Sequence, residues 1–144
     1  MRSSALSIMA HAASTDLWVV SDSDVEVTED YLQRVVAPFA DEQVGCVTCL
    51  YRGVAPEGGL WALLEAAGMS IEMSSGVVVS AMLKPMRFAL GPTMAFRRDC
   101  VHLSGGFESL VNYCADDFVL GNRIGQQPGR TVELSSYVVG RALF

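Results

Sequence analysis

The chain has 144 residues, a formal net charge of −6, and 51% hydrophobic against 18% charged residues. This length fits one domain, and the apolar fraction excludes a disordered chain. The excess of acidic residues argues against non-specific nucleic-acid binding, which needs Lys and Arg side chains to neutralise phosphates, and it offers carboxylates for a divalent cation.

The first half of the chain predicts two buried strands among helices. Residues 1–13 predict a short amphipathic helix, because their apolar segment is short and interrupted by Ser7 and His11, unlike a cleaved signal peptide. Residues 16–20 predict a buried strand that leads into an acidic turn. The elements that follow are a helix capped by Thr28 and ended near Pro38, an apolar strand at residues 44–50, a loop marked by Pro56, Gly58 and Gly59, and a helix at residues 60–73.

The second half continues this alternation. The apolar run at residues 76–83 fits either a strand or a helix, and its valines favour a strand. It is the longest candidate for a membrane span and is shorter than the ~18 residues required, so we expect a chain that is soluble or peripheral to a membrane. The other elements are a strand at residues 93–97, a short helix capped by Asp99 and ended at Gly105 and Gly106, a helix at residues 115–124 and a strand at residues 131–134. Strands that alternate with helices indicate an α/β fold in one domain.

The four cysteines are too sparse for a secreted disulfide scaffold. Cys46 and Cys49 form a CxxC pair inside a predicted strand, where their odd spacing points the two side chains to opposite faces. We therefore interpret them as small buried hydrophobes rather than as a redox or metal pair. His11 and His102 have no companions suitable for a catalytic triad or a zinc site, and we interpret both as structural or surface residues.

The strongest local motif is the D-x-D of Asp22 and Asp24 directly after the first predicted strand. It places two carboxylates at the carboxyl end of a strand, where ligands bind in open α/β folds. Two hard oxygen ligands at this spacing suit Mg²⁺ or Mn²⁺, which can bridge to the pyrophosphate of a substrate. The alternative is a polar turn whose side chains bond to nearby backbone donors.

A second acidic pair, Asp116 and Asp117, opens a predicted helix. A carboxylate at this end is stabilised by the helix dipole, and it could also act as a general base. Two adjacent acids cannot share one helix face, so we expect one of them to point into a site. The turn at Gly105, Gly106 and Phe107 allows either a close backbone approach to a ligand or a plain helix end.

Taken in order, these segments resemble a family 2-type glycosyltransferase with a GT-A fold. The resemblance is closest to the ceramide glucosyltransferase branch, which includes the bacterial hopanoid-associated glycosyltransferases. It extends from about residue 3 to residue 139, and the order and spacing of the motifs are more specific than any one motif. The matching stretches are residues 16–24, Gly91 with residues 93–99, residues 105–107 and residues 115–121.

The resemblance implies a metal-assisted, inverting transfer of glucose or a related hexose from a nucleotide sugar, expected to be a UDP-sugar, to the hydroxyl of a lipid acceptor. Asp22 and Asp24 would occupy the motif that engages the donor and its Mg²⁺ or Mn²⁺, with Asp22 the safer assignment. Asp117 would match the general base and Asp116 the acidic position before it. The residues implied on the acceptor side of the cleft are Gly105, Gly106 and Phe107.

The implied architecture is a partial GT-A fold over residues 1–144, with a mixed sheet flanked by helices. Members of the branch have an upstream segment that binds the nucleoside, and a downstream Q-x-x-R-W motif followed by membrane segments; this chain matches neither. They are membrane-associated, with the catalytic domain on the cytoplasmic side. We therefore expect an internal portion of the fold, whose exposed apolar surface favours self-association.

Two other functions stay open. A buried strand followed by D-x-D also resembles a haloacid dehalogenase-type phosphatase, in which Asp22 would be the nucleophile and Asp24 the acid. Lys84 and the pair Asp116 and Asp117 would complete that site, although that family places its later acids after a buried strand. The other alternative is a non-catalytic α/β module that binds a nucleotide sugar or a partner without turnover.

Overall fold

The computed structural model describes residues 2–54, 59–83 and 85–142; the predictions for Pro56, Gly58 and Lys84 lie outside them. Its α-helices are α1 (Arg2–Ala12), α2 (Tyr31–Val36), α3 (Leu60–Leu83), α4 (Arg98–Leu103) and α5 (Asp116–Gly125). Its strands are β1 (Leu17–Ser21), β2 (Val25–Glu26), β3 (Val44–Val54), β4 (Thr93–Arg97) and β5 (Thr131–Ala142). Short 3₁₀ helices cover Ala37–Ala40 and Phe107–Leu110.

The described strands form one sheet in the order β1-β4-β3-β5-β2. β4 runs antiparallel to both of its neighbours, β1 and β3, and β2 runs antiparallel to β5. β3 and β5 pair in parallel over most of their length. A mixed sheet flanked by helices confirms the predicted fold class.

Side chains from alternate strand positions fill two cores, one on each face of the sheet. On one face, Trp18 and Phe96 pack with Leu120 and Ile124 of α5. On the other face, residues of α2 and its 3₁₀ extension cover the sheet; this core includes Tyr31, Val35, Phe39, Val47, Tyr137 and Val139. The sheet is therefore the middle layer of the domain.

The CxxC pair lies as predicted, with Cys46 in the first core and Cys49 in the second. Both thiols are free and fully buried. Burial raises the pKa of Cys46 strongly and raises the pKa of Cys49 to about 11. Because the thiolate is the reactive and metal-binding form, these two side chains serve packing.

The strand prediction for residues 76–83 is wrong, because α3 continues through them to Leu83. α3 packs along β3, where a side chain at Gly53 would come within 2.8 Å of the backbone of Ala66. A run of valines carries only a modest strand preference, and continuation of an established helix outweighs it here. Among the described residues, no helix is long and apolar enough to cross a membrane.

The predicted cap at Thr28 is also wrong. α2 begins at Tyr31, with Asp30 at the N-cap position and no side-chain capping bond. The Thr28 hydroxyl contacts the Asp30 carboxylate and lies 3.0 Å from the Tyr137 hydroxyl. Thr28 therefore ties the entry of α2 to β5 instead of capping the helix.

Candidate functional site

The D-x-D motif lies in the turn between β1 and β2, at the carboxyl end of β1. The antiparallel pairing of Ser21 with Thr93 brings the segment before β4 to the same edge. The Asp22 amide donates to the Pro92 carbonyl at 3.0 Å, which fixes the start of the turn. Asp22 and Asp24 are both partly buried.

Arg141, near the end of β5, holds the second acid of the motif. Its Nε donates to Oδ2 of Asp24 at 2.9 Å, and both side chains are about one-third exposed. The contact follows from sheet register, because Arg141 pairs with Val25 of β2 directly after Asp24. Arg141 lies beyond residue 134, where the last strand is predicted to end, and is therefore absent from the predicted site. The alternation of Tyr137, Val139 and Arg141 was the available signal.

The phenol of Tyr51 on β3 is influenced by the charges of both Arg141 and Asp117. Burial raises the pKa of its phenol, the Arg141 charge opposes this, and the Asp117 charge adds to it. Tyr51 is thus within electrostatic reach of both the ion pair at Asp24 and the start of α5. Sequence reasoning missed it because it lies just beyond the predicted end of the strand.

Asp116 and Asp117 occupy the first turn of α5, as predicted. The Asp117 amide donates to Oδ1 of Asp116 at 2.9 Å, and the Phe118 amide donates to Oδ1 of Asp117 at 2.8 Å. Both carboxylates thus bond to N–H groups that a helix start leaves without intrahelical partners. The pair opens a helix rather than following a strand, which differs from the arrangement expected of the phosphatase alternative.

A close approach at Gly121 fixes the position of α5. A Cβ atom there would lie 2.3 Å from the Ala89 nitrogen and 2.7 Å from the Phe88 carbonyl carbon. Only glycine allows this contact between the helix and the segment before β4. This segment continues to Pro92, whose carbonyl accepts a hydrogen bond from the Asp22 amide. It therefore supports both the D-x-D turn and the start of α5.

The glycine turn packs beside α5. Gly105 and Gly106 have φ of +94° and +69°, a region that favours glycine. Arg123 of α5 donates from Nη1 to the Ser104 carbonyl at 3.0 Å, which ties the turn to the helix. Phe107 is 4% exposed, packs against Trp18 at 6.1 Å between ring centroids, and lines a small pocket with Asp116 and Asp117. The acceptor-side role of this turn stays a prediction.

Asp22 and Asp24 provide some of the oxygen ligands that a divalent cation needs. Among the described residues, no group of three or more His, Cys, Asp or Glu side chains could hold a metal ion. Asp22 and Asp24 remain as hard oxygen donors, and Oδ2 of Asp24 already bonds to Arg141. Mg²⁺ is often held by one or two carboxylates together with substrate phosphates, and the donor set fits that mode of binding.

Comparison with known families gives one match along nearly the whole chain. The sequence model of Glycosyl transferase family 21 matches residues 2–143. A search of curated protein sequences found no match. The family match supports the glycosyltransferase interpretation and does not support the phosphatase alternative.

Two solved structures of glucosyl-3-phosphoglycerate synthase from Mycobacterium tuberculosis resemble the chain. The structure with Mg²⁺ and UDP is 18% identical, with a TM-score of 0.51 over 98% of this chain and 44% of that chain. The structure with Mn²⁺, UDP-glucose and phosphoglyceric acid is 19% identical, with a TM-score of 0.52 over 98% and 45%. The described chain therefore has a partial GT-A fold and spans less than half of the length of these relatives.

Proposed function

Because the chain belongs to glycosyl transferase family 21, we propose that it carries the donor-side acids and the general base of an inverting glycosyltransferase. The observation that supports this most is the arrangement of charges toward the carboxyl ends of β3 and β5. Asp24 is ion-paired to Arg141, and the charges of Arg141 and Asp117 both act on Tyr51. The two acidic motifs thus belong to one electrostatic neighbourhood.

The donor is a UDP-sugar, with glucose or a related hexose as the transferred group. Asp22 and Asp24 would hold a Mg²⁺ or Mn²⁺ ion that neutralises the departing diphosphate. Support comes from the relatives described above, whose structures contain UDP or UDP-glucose with one of these ions. The half-buried carboxylates and the fixed turn between β1 and β2 suit that task.

Asp117 takes the proton of the acceptor hydroxyl. The hydroxyl oxygen then forms a bond to the anomeric carbon, while the bond from that carbon to the diphosphate oxygen breaks. Attack opposite the leaving group inverts the anomeric centre. Asp116 bonds to the Asp117 amide and so holds the first turn of α5 in place.

The acceptor is a lipid hydroxyl, as in the ceramide and hopanoid-associated enzymes that the motifs resemble. Phe107, which directly follows the glycine turn at Gly105 and Gly106, supports this role because it lines a small pocket with Asp116 and Asp117. We propose that the whole protein works at a membrane, with its catalytic domain on the cytoplasmic side. The exposed apolar residues of α3, which include Leu60, Trp61, Leu64 and Met82, are consistent with this setting.

Turnover of UDP-glucose with Mn²⁺ tests the proposal in the full-length protein. Asp117→Asn should lower kcat by about 10²–10⁴-fold, the usual contribution of a general base, and leave UDP affinity unchanged. Asp30→Asn is the matched control, because Asp30 is a carboxylate at the N-cap of α2 that pairs with the exposed side chains of Thr28 and Arg34. Normal turnover by Asp117→Asn would remove the base assignment.

A non-catalytic α/β module that binds a nucleotide sugar or a partner is the second candidate. This alternative predicts binding of a UDP-sugar without turnover in the wild-type protein. The same assay separates it from the first proposal.

A further inference from the structure

We propose that Arg141 is a donor-binding residue: its Nε fixes Asp24, and its terminal nitrogens bind the diphosphate of the nucleotide sugar. This inference rests on the proposed glycosyltransferase function and adds a residue that no motif assigns. It begins from the ion pair at the end of β5, where Nε lies 2.9 Å from Oδ2 of Asp24.

The geometry of the pair leaves most of the guanidinium available. Arginine has five N–H donors in a planar fork, and the Asp24 contact uses the one on Nε. No described residue accepts a hydrogen bond from Nη1 or Nη2. An arginine fork of this kind matches the oxygens of a phosphate group.

Strand pairing on both sides fixes the backbone position of Arg141. Arg141 pairs with Val25 on one side and with Gly53 on the other, so it lies between two strands rather than at the edge of the sheet. Its side chain is about two-thirds buried, which weakens screening of its charge by solvent. A charge held this way is a preorganised site for an anion.

The carboxylates near Arg141 would repel a diphosphate, so its binding requires positive charge at this place. Asp22 and Asp24 lie in one turn, and Asp117 acts on the same tyrosine as Arg141. A diphosphate entering beside these carboxylates meets strong repulsion unless positive charge is present. Arg141 supplies positive charge in addition to that of the divalent ion, and it orients Asp24 at the same time.

The test compares UDP with uridine, because these probes differ in the diphosphate. Affinities are measured by calorimetry on the full-length protein, in EDTA and in Mn²⁺. Arg141→Gln should weaken UDP binding about ten-fold or more in EDTA, as expected for loss of a charge-assisted contact, while uridine affinity stays unchanged. Arg141→Lys, which keeps the charge without the fork, should give a smaller loss.

Arg34→Gln is the matched control, since Arg34 also donates from Nε to an aspartate Oδ2, at an exposed pair on α2. It should leave both affinities unchanged. If Arg141→Gln does not fold, Arg141→Lys alone must still lower UDP affinity and spare uridine.

Three results would overturn the inference. Equal UDP affinity in the wild type and in Arg141→Gln removes Arg141 from the donor site, and the proposed function survives. An equal loss for UDP and uridine assigns Arg141 a structural role only. A wild-type protein that binds neither probe, even with Mn²⁺, removes the proposed donor site and this inference together.

Discussion

The contact at Gly121 gives the sharpest stability prediction. In Gly121→Ala, the new Cβ would lie 2.3 Å from the Ala89 nitrogen and 2.7 Å from the Phe88 carbonyl carbon. Ordinary contacts need about 3.5 Å, so α5 and this segment must separate by about 1 Å. Overpacking costs about 1–3 kcal/mol, and the upper part of that range, about 2–3 kcal/mol, applies here because the close contacts are with backbone atoms that cannot rotate away. The better helix propensity of Ala returns about 1 kcal/mol. We expect a net loss of about 1–2 kcal/mol.

Thermal unfolding measures this loss, and Gly68→Ala on α3 is the matched control. A Cβ at Gly68 meets nothing within 4 Å, so that change should stabilise the protein by about 0.5–1 kcal/mol. Gly121→Ala should lower Tm by about 2–8 °C, since each 1 kcal/mol shifts Tm by about 2–4 °C in a chain of nearly 150 residues. A Gly121→Ala protein as stable as the wild type would refute the close approach of α5 to residues 88–89.

The same substitution should also reduce turnover in the folded protein. Asp117 lies one turn before Gly121, so a shift of α5 by about 1 Å moves the proposed base, and a misplacement of that size can cost about 10²-fold in rate. UDP affinity, which we propose depends on the turn after β1, should change less than kcat. Full turnover at a lowered Tm would show that the position of α5 does not control the reaction.

Three further predictions follow from burial and exposed contacts. One cysteine, Cys114, should react with a thiol reagent in the native protein and all four in denaturant, because the other three are buried; four reactive native thiols would contradict the core. The Ser7 hydroxyl lowers the pKa of Glu108, so this contact stabilises α1 above pH ~4.5 and the effect fades as pH falls through the lowered pKa. Ser7→Ala should therefore lower Tm at pH 7, and its difference from the wild type should shrink as the pH falls through the lowered pKa of Glu108; a difference that does not change with pH would oppose this. Trp61→Glu should reduce self-association in sedimentation experiments, because Trp61 is 83% exposed on an apolar stretch of α3; unchanged association would exclude this surface.

Local patterns predicted the elements that carry their own signal. β4 matches its prediction residue for residue, and α5 begins within one residue of the expected start, because apolar spacing and an acidic first turn are local features. The strand prediction for residues 76–83 was wrong because a short apolar run has no periodicity that distinguishes a strand from a helix. These residues are helical because they continue α3.

The sequence predicts the acids of the candidate site, and the structure adds the residues that lie beside them. Asp22, Asp24 and Asp117 were visible as motifs, whereas Arg141 and Tyr51 acquire their roles from the parallel pairing of β3 with β5. Ser135 and Ser136 interrupt the apolar pattern of β5 and concealed its second half. Pairing between distant strands has no signature in a single sequence.

The most direct test of the account is the affinity of the full-length protein for UDP in the presence of Mn²⁺, compared between the wild type and Asp22→Asn. The account predicts that the wild type binds UDP, that EDTA weakens this binding, and that Asp22→Asn removes the effect of Mn²⁺ while Asp30→Asn does not. Identical Mn²⁺-dependent affinity in the wild type and Asp22→Asn would contradict the assignment of the turn after β1 as the donor site.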